Sequence, residues 1–423
     1  MGYRYRGGEA VLETDELDTK RKSKRYVLAP ILSLVGILVL LFGVSVGTTF
    51  AESDGEPPQV VAATWMRDNH LGWVVARAED VYFTYIDVAE VGGDPEISAQ
   101  FPSAESDEQD IDTVTMPAPA PDPGSSAIEV KDLPRAHLNP PGNITSPVTD
   151  PEPGEGEWQP VASKVDKIPA IYVTRVRADD KYTMYYATAM WIDTTLTRTM
   201  FIPGYREPGG PNPFNGALPE SQWEYVLANF NGGFRINDTR GGYFYDGEMV
   251  KPLVDGRASA VVTRDGTMQI GKWPRDFKNL RDDNGDPTPE VMVVRQNLDL
   301  IIDKGVSEVS SENDNLVWGA TTDKTSMTWR AAIGERPDGS LVYVIGEYLS
   351  ATGLANTLVG AGVEQAMVLD MNLWWAAAFY FNHKKSGKIK CHKLEPAIQG
   401  DCERFLNDYK RDSFQVLSRP QAR

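Results

Sequence analysis

Through most of its length this chain sets short apolar runs between clusters of turn-forming residues, the pattern of a strand-rich domain. Ile171-Tyr172-Val173-Thr174-Arg175-Val176 and Tyr182-Thr183-Met184-Tyr185-Tyr186-Ala187 are β-branched and aromatic runs that read as strands. The run Tyr225-Val226-Leu227-Ala228 reads as a buried strand leading into Asn229-Phe230-Asn231-Gly232-Gly233-Phe234. Residues 258–262 and 268–271 form a hairpin turning at Asp265-Gly266, and Asp246-Gly247 and Asp338-Gly339 repeat that turn chemistry. Leu354, Leu358 and Val359 fall at helical spacing and predict a short helix over 353–360. Ala366-Met367-Val368-Leu369 is then a buried strand that ends at Asp370. The expectation is an α+β fold: a strand-rich, mixed-sheet domain with few helices.

The pattern changes toward the N-terminus. Tyr26 to Ala51 is an uncharged, largely apolar run, long enough for a transmembrane helix, which needs about 20 such residues. Five basic residues between Lys20 and Arg25 precede it, and Glu52, Asp54 and Glu56 follow, which predicts a cytoplasmic N-terminus and an extracytoplasmic remainder. The rival reading is a signal peptide cleaved after Thr49-Phe50-Ala51; the long basic segment and the length of the run favour an uncleaved anchor. In residues 52–100, the stretches 60–66 and 71–75 read either as one short helix or as a pair of strands, and Tyr82 to Ile86 as a strand. Residues 101–160 hold 12 prolines among many acidic and small residues, which predicts a semi-extended spacer. The expected organisation is thus a basic tail (1–25), a span (26–51), a membrane-proximal segment (52–100), a linker (101–160) and a folded domain (161–423) of a bacterial envelope protein.

Charge and composition narrow the function. A formal net charge of −18 argues against a nucleic-acid partner, which requires a basic face. The two cysteines, Cys391 and Cys402, lie close together on the extracytoplasmic side, where a disulfide is the expected state. No metal and no cofactor are called for. Gly266 to Lys272 imitates a phosphate-binding loop, yet Trp273 stands where Ser or Thr would hold magnesium. Asp282 to Asp286 lacks the spacing of a calcium loop, and the four histidines form no cluster.

Candidate chemistry gathers at strand ends. The adjacent Gly232 and Gly233 allow a tight turn and close approach of a ligand, and a run of exposed amides there would suit an anion; the plain alternative is a turn between strands. Arg330 offers a bidentate fork for phosphate, or else an ordinary ion pair. Asp370, at the end of a buried strand, is a candidate general acid, or else a capping carboxylate. Asn231 offers its amide to a ligand or simply ties the turn. Of Trp374 and Trp375 one is expected on an open face and the other in the core, since neighbours in a strand face opposite ways.

Taken in order, Asn231-Gly232-Gly233-Phe234, the hairpin ending at Gly271, Trp329-Arg330-Ala331-Ala332-Ile333-Gly334, Asp338-Gly339, and the helix leading into Gln365-Ala366-Met367-Val368-Leu369-Asp370 resemble the phosphodiester glycosidase family over residues 165–382. The resemblance implies hydrolysis of a glycosyl–phosphodiester bond, with a phosphate-linked glycan or envelope glycopolymer as partner. The resemblance makes Asp370, Arg330 and Asn231 catalytic, with Asp370 as general acid or holding a sugar hydroxyl, Arg330 clamping the phosphate and Asn231 bonding the glycosyl group; Gly232, Gly233, Asn372 and Trp374 would bind substrate, one tryptophan of 374–375 stacking on a sugar face. The chain departs from the family after Asp370: Met371-Asn372-Leu373-Trp374-Trp375 replaces a run of glycines and a serine, and Arg235 stands in place of a second Phe. That departure motivates the alternative of a catalytically silent relative that binds an envelope glycan or a protein.

Overall fold

The structure is a computed structural model that describes residues 40–419, leaving out 52, 54–55, 87, 103–107, 110–134, 311–314 and 319–326. The described residues divide into two compact units, split between Ala78 and Glu79.

In the first unit, residues 40–51 are helical and are followed by the helix Pro58–Asp68. Proline at the start of the second helix suits a position whose N–H has no helical partner. Trp65 is buried, donates from Nε1 to Ser45 Oγ (3.0 Å) and meets the Phe42 ring edge-on at 5.0 Å. The expected membrane span 26–51 lies mostly outside the described residues. Among the described residues no helix is long and apolar enough to cross a membrane. A further helix, Gly72–Tyr85, spans the boundary between the units. It corrects the strand expected at Tyr82 to Ile86: the aromatic propensity of Tyr82-Phe83 is overridden, and these residues close the helix.

In the second unit the described strands form sheets of eight, six and five strands. The largest runs in the order Val306–Ser307, Leu300–Asp303, Gln365–Val368, Thr328–Glu335, Leu341–Leu349, Tyr186–Ile192, Ile171–Arg177, Gln159–Val161. The six-stranded sheet contains Ala378–Lys384, Val226–Asn231, Ser413–Ser418 and Thr197–Ile202. The five-stranded sheet is built on Ala258–Thr263, Met268–Lys272, Val291–Gln296, Tyr243–Tyr245 and Glu248–Lys251.

Neighbouring described strands pair antiparallel throughout, which corrects the mixed-sheet expectation. Tight Asp-Gly turns join many of them; Gly247, Gly266 and Gly339 all have φ near +80 to +90°. A helical crossover, Ala351–Gly360, links two strands that lie on either side of Thr328–Glu335 instead of pairing with each other. Its N-terminus is capped by Ser350, whose hydroxyl accepts from Gly353 N. The strand expected from Tyr182 begins only at Tyr186, because 182–185 form a turn.

Part of the expected spacer is docked. Glu155 is buried in a forked ion pair with Arg177 (Nη2 to Oε2 2.7 Å, Nε to Oε2 3.0 Å), Gly156 N donates to Arg175 O, and Leu138 N donates to Asp193 Oδ2 (2.8 Å). The N-terminal flank docks as well: the Arg175 guanidinium lies 4.0 Å from the centre of the Phe101 ring and donates to Ser98 O. The folded unit therefore draws on residues before 161.

Candidate functional site

Three strand ends meet at the candidate residues. Asn231 ends Val226–Asn231, Asp370 lies two residues past Gln365–Val368, and Arg411-Asp412 precede Ser413–Ser418. Pairing of Ser413 with Asn231 brings Asp412 beside the glycine pair, and Gly232 N donates to Asp412 O (2.9 Å). Asp370 N donates in turn to Gly232 O (3.2 Å).

The groups packed closest to the glycine pair are the chain's own. A Cβ on Gly232 would stand 2.4 Å from the Asp412 carboxyl carbon, and one on Gly233 would stand 3.3 Å from the Arg295 guanidinium carbon. What approaches closely here is therefore the chain's own ion pair. Arg295 Nε donates to Asp412 Oδ2 at 2.8 Å with both side chains excluded from solvent. The guanidinium also donates to Gln296 O and Phe234 O. Asn297 Nδ2 donates to Val368 O (2.6 Å), which ties this cluster to the strand carrying Asp370.

Asp370 is buried and its carboxylate accepts from Arg411 Nη2; the Arg411 guanidinium sits 4.8 Å from the centre of the Trp375 ring. Burial alone would lower the Arg411 pKa, but the carboxylates of Asp370, Glu207 and Asp412 outweigh it and hold the group above its ordinary value. A cation and a carboxylate thus sit together, almost out of water.

Asn231 is buried and occupied: its Oδ1 accepts from Tyr343 OH (2.8 Å) and Ala377 N (3.2 Å), and its Nδ2 donates to Gly232 O (3.0 Å). Burial drives the Tyr343 hydroxyl pKa well up, so it stays a neutral donor. Arg330 is 2% exposed, donating to Leu349 O (2.8 Å) and Trp318 O (3.1 Å), with Met371 Sδ 3.8 Å from Nη1. Burial lowers its pKa to about 10. These donors hold the carbonyls of Leu349 and Trp318, and Nη1 also reaches the Met371 side chain that follows Asp370.

Residues 371–375 form turns, not a continued strand. Asn372 Oδ1 accepts from Trp374 N (2.9 Å), and its carbonyl accepts from Trp375 N and Ala376 N. Trp375 is buried, while Trp374 is half-buried beneath the Arg404 guanidinium. Cys391 and Cys402 form a disulfide, which staples the strand Ile389–Lys393 to the segment leading toward Arg404 and Arg411.

Sequence reasoning missed Arg295, Asn297, Tyr343, Arg411 and Asp412. The only local signal was charge flanking apolar strands, Arg295 after Val291–Val294 and Lys410-Arg411-Asp412 before Phe414, which in isolation reads as solvated ends. Two clefts elsewhere, about 690 Å³ beside Glu335 and about 500 Å³ beside Trp223, are not lined by the residues of this cluster.

No protein-family model matches the sequence, and no curated protein matches it. Among solved structures the chain is similar to the catalytic domain of zebrafish N-acetylglucosamine-1-phosphodiester α-N-acetylglucosaminidase, auto-inhibited by its pro-peptide, at 18% identity and a TM-score of 0.37, covering 63% of this chain and 88% of that one. A hypothetical protein from Synechocystis matches at 10% identity and a TM-score of 0.35, over 62% of this chain and 64% of that one. An exported protein from Burkholderia pseudomallei matches at 10% identity and a TM-score of 0.32, over 57% and 75%. Likeness at this level carries no functional argument.

Proposed function

We propose that the second unit is a hydrolase of glycosyl phosphodiesters, held in the cell envelope by the apolar run 26–51 with its N-terminus in the cytoplasm. The observation that carries this reading is the buried Asp370–Arg411 pair at the meeting of three strand ends. A phosphodiester oxygen competes with Asp370 for the Arg411 fork, since a guanidinium binds phosphate and carboxylate alike. The released carboxylate then takes a proton from water as that water adds to the anomeric carbon. The bond from that carbon to the bridging oxygen breaks, and the phosphate monoester leaves as an anion neutralised by Arg411. Asn231, Gly232 and Arg330 act in this scheme as positioning residues, through the backbone they hold.

The test is hydrolysis of glycosyl-phosphate diesters by the full chain beside Asp370→Asn. Turnover in the wild type that falls by at least about 100-fold in the variant supports the reading, that being the usual share of a general base. Turnover unchanged in the variant refutes the role of Asp370.

A second reading, binding without turnover, is favoured by one observation: Asn231, Gly232 and Arg330 spend their hydrogen bonds on the chain itself. Saturable binding of a glycosyl phosphodiester with no product released would select it.

A further inference from the structure

A cleft of about 500 Å³ lies between the segment 214–223 and the segment 406–408. Its apolar wall is aromatic. Phe214 and Trp223 are half-buried and pack against the main core on their inner side. Trp223 donates its Nε1–H to Leu218 O (2.8 Å), so the polar edge of the indole is already spent. The rim is polar: Glu220, Asn407 and Asp408 are exposed, and Asn215 Nδ2 donates to Asp408 Oδ2 across the two segments.

The walls are fixed to each other. Tyr409 N donates to Asn215 O (3.3 Å), and Tyr205 N donates to Tyr409 O (3.0 Å). Gly216, at φ +82°, lets the segments close, for a Cβ there would stand 1.9 Å from Tyr409 O. Arg411 follows Asp408 by only three residues, a reach of at most about 10 Å of extended chain.

We propose that this cleft is a saccharide subsite, with Phe214 and Trp223 taking the apolar face of a pyranose ring and Glu220, Asn407 and Asp408 taking its hydroxyls. The proposal deepens the reading above, on which it rests for the class of ligand. The chemistry of the cleft selects a neutral sugar. A sugar's ring C–H groups carry partial positive charge and suit the negative face of an aromatic. Two carboxylates at the rim repel a phosphate or any other anion, which directs the charged part of a ligand toward Arg411. A wholly apolar occupant would strip water from Glu220 and Asp408 and return no hydrogen bond, whereas hydroxyls donate to both. The volume is of the size that holds one or two rings, within the range of about 300–1,000 Å³ typical of ligand sites.

The test is saturation-transfer NMR on the full chain in detergent, titrated with methyl α-glucoside, methyl α-mannoside and methyl N-acetyl-α-glucosaminide. None of these carries phosphate, so the measurement is independent of turnover: loss of the hydrolase reading leaves a positive result standing. The expected outcome is saturable transfer from at least one glycoside, weakened about tenfold by Trp223→Ala and by less than about threefold by Trp223→Phe, which keeps the aromatic face. Should Trp223→Ala fail to fold, the exposed rim substitutions Glu220→Ala and Asn407→Ala serve instead and are expected to weaken binding about threefold each. No transfer from any glycoside up to about 20 mM overturns the proposal, as does full binding by Trp223→Ala or, in its place, by both rim variants.

Discussion

The Arg295–Asp412 pair yields the sharpest energetic prediction. Both side chains are excluded from water, and their 2.8 Å contact bridges strands 117 positions apart in sequence. Replacing Asp412 with Ala leaves the guanidinium buried, with Gln296 O and Phe234 O still accepting but no carboxylate at Nε. Breaking a buried pair from one side costs about 3–5 kcal/mol, because the surviving charge stays desolvated. That is a large part of a typical total of about 5–15 kcal/mol. Arg295→Met should cost a comparable amount by stranding Asp412 next to Gly232. The double variant, Arg295→Met with Asp412→Leu, removes both charges and should lose less than the sum of the singles by at least about 2 kcal/mol. Urea unfolding followed by far-ultraviolet circular dichroism measures this. With a slope of about 3 kcal/mol per molar, each single should lower the midpoint by about 1–1.7 M. Single variants within about 0.5 kcal/mol of wild type, or costs that simply add, would refute the view that the charges stabilise one another.

Two further outcomes follow from the same physics. Burial first, and then the nearby Glu364 and Asp276 carboxylates, raise Glu335 from 4.5 to about 7, against the Ile270 N–H that favours the ionised form. The folded state therefore holds this proton more tightly than the unfolded one, so stability is greatest below about pH 4.5 and falls as pH rises through about 7, by at most about 3 kcal/mol. Glu335→Gln keeps an acceptor for Ile270 N and should gain on wild type by up to that amount at pH 8 while matching it at pH 5; an unchanged difference between the two pH values in thermal melts sinks the assignment. At the glycine pair, Gly232→Ala should destabilise by about 1–3 kcal/mol because its Cβ would overlap the Asp412 carboxylate at 2.4 Å, whereas Gly233→Ala, with 3.3 Å to its nearest neighbour, should cost visibly less. Equal losses in the two variants would contradict the packing account.

The strands were legible because their apolar runs end on turn residues that fix the register: Asp265-Gly266 closes Ala258–Thr263 onto Met268–Lys272, and Asp246-Gly247 closes Tyr243–Tyr245 onto Glu248–Lys251. The pairing direction was less so, since alternation says which face is buried but not which strand lies alongside. Helix Gly72–Tyr85 was hidden for a related reason. Its Val74, Val75, Val81 and Tyr82 favour strands by propensity, and only the surrounding structure decides. The proline-rich stretch shows the opposite case: composition marks it as a semi-extended spacer, and Glu155 ties part of it down through Arg177, a contact between charged groups that no hydrophobic pattern announces.

At the candidate site, what the sequence exposes is the need, and what it conceals is the partner. Asn231, Gly232 and Asp370 stand out because each closes an apolar run, where a polar group requires a reason. The adjacent glycines state that something comes close to the backbone. They do not say whether it is a ligand or the chain itself, and the 2.4 Å from a Gly232 Cβ to the Asp412 carboxyl carbon answers that it is the chain. Arg330 shows the same ambiguity from the other side: a fork suited to phosphate serves equally to hold Leu349 O and Trp318 O. Arg411 drew no notice in a charged triplet, yet it is the cation that reaches Asp370. A guanidinium already facing a carboxylate is where an anionic ligand exchanges one oxyanion for another, so any direct contact to phosphate here is expected from Arg411, with Arg330 acting only through the backbone it holds.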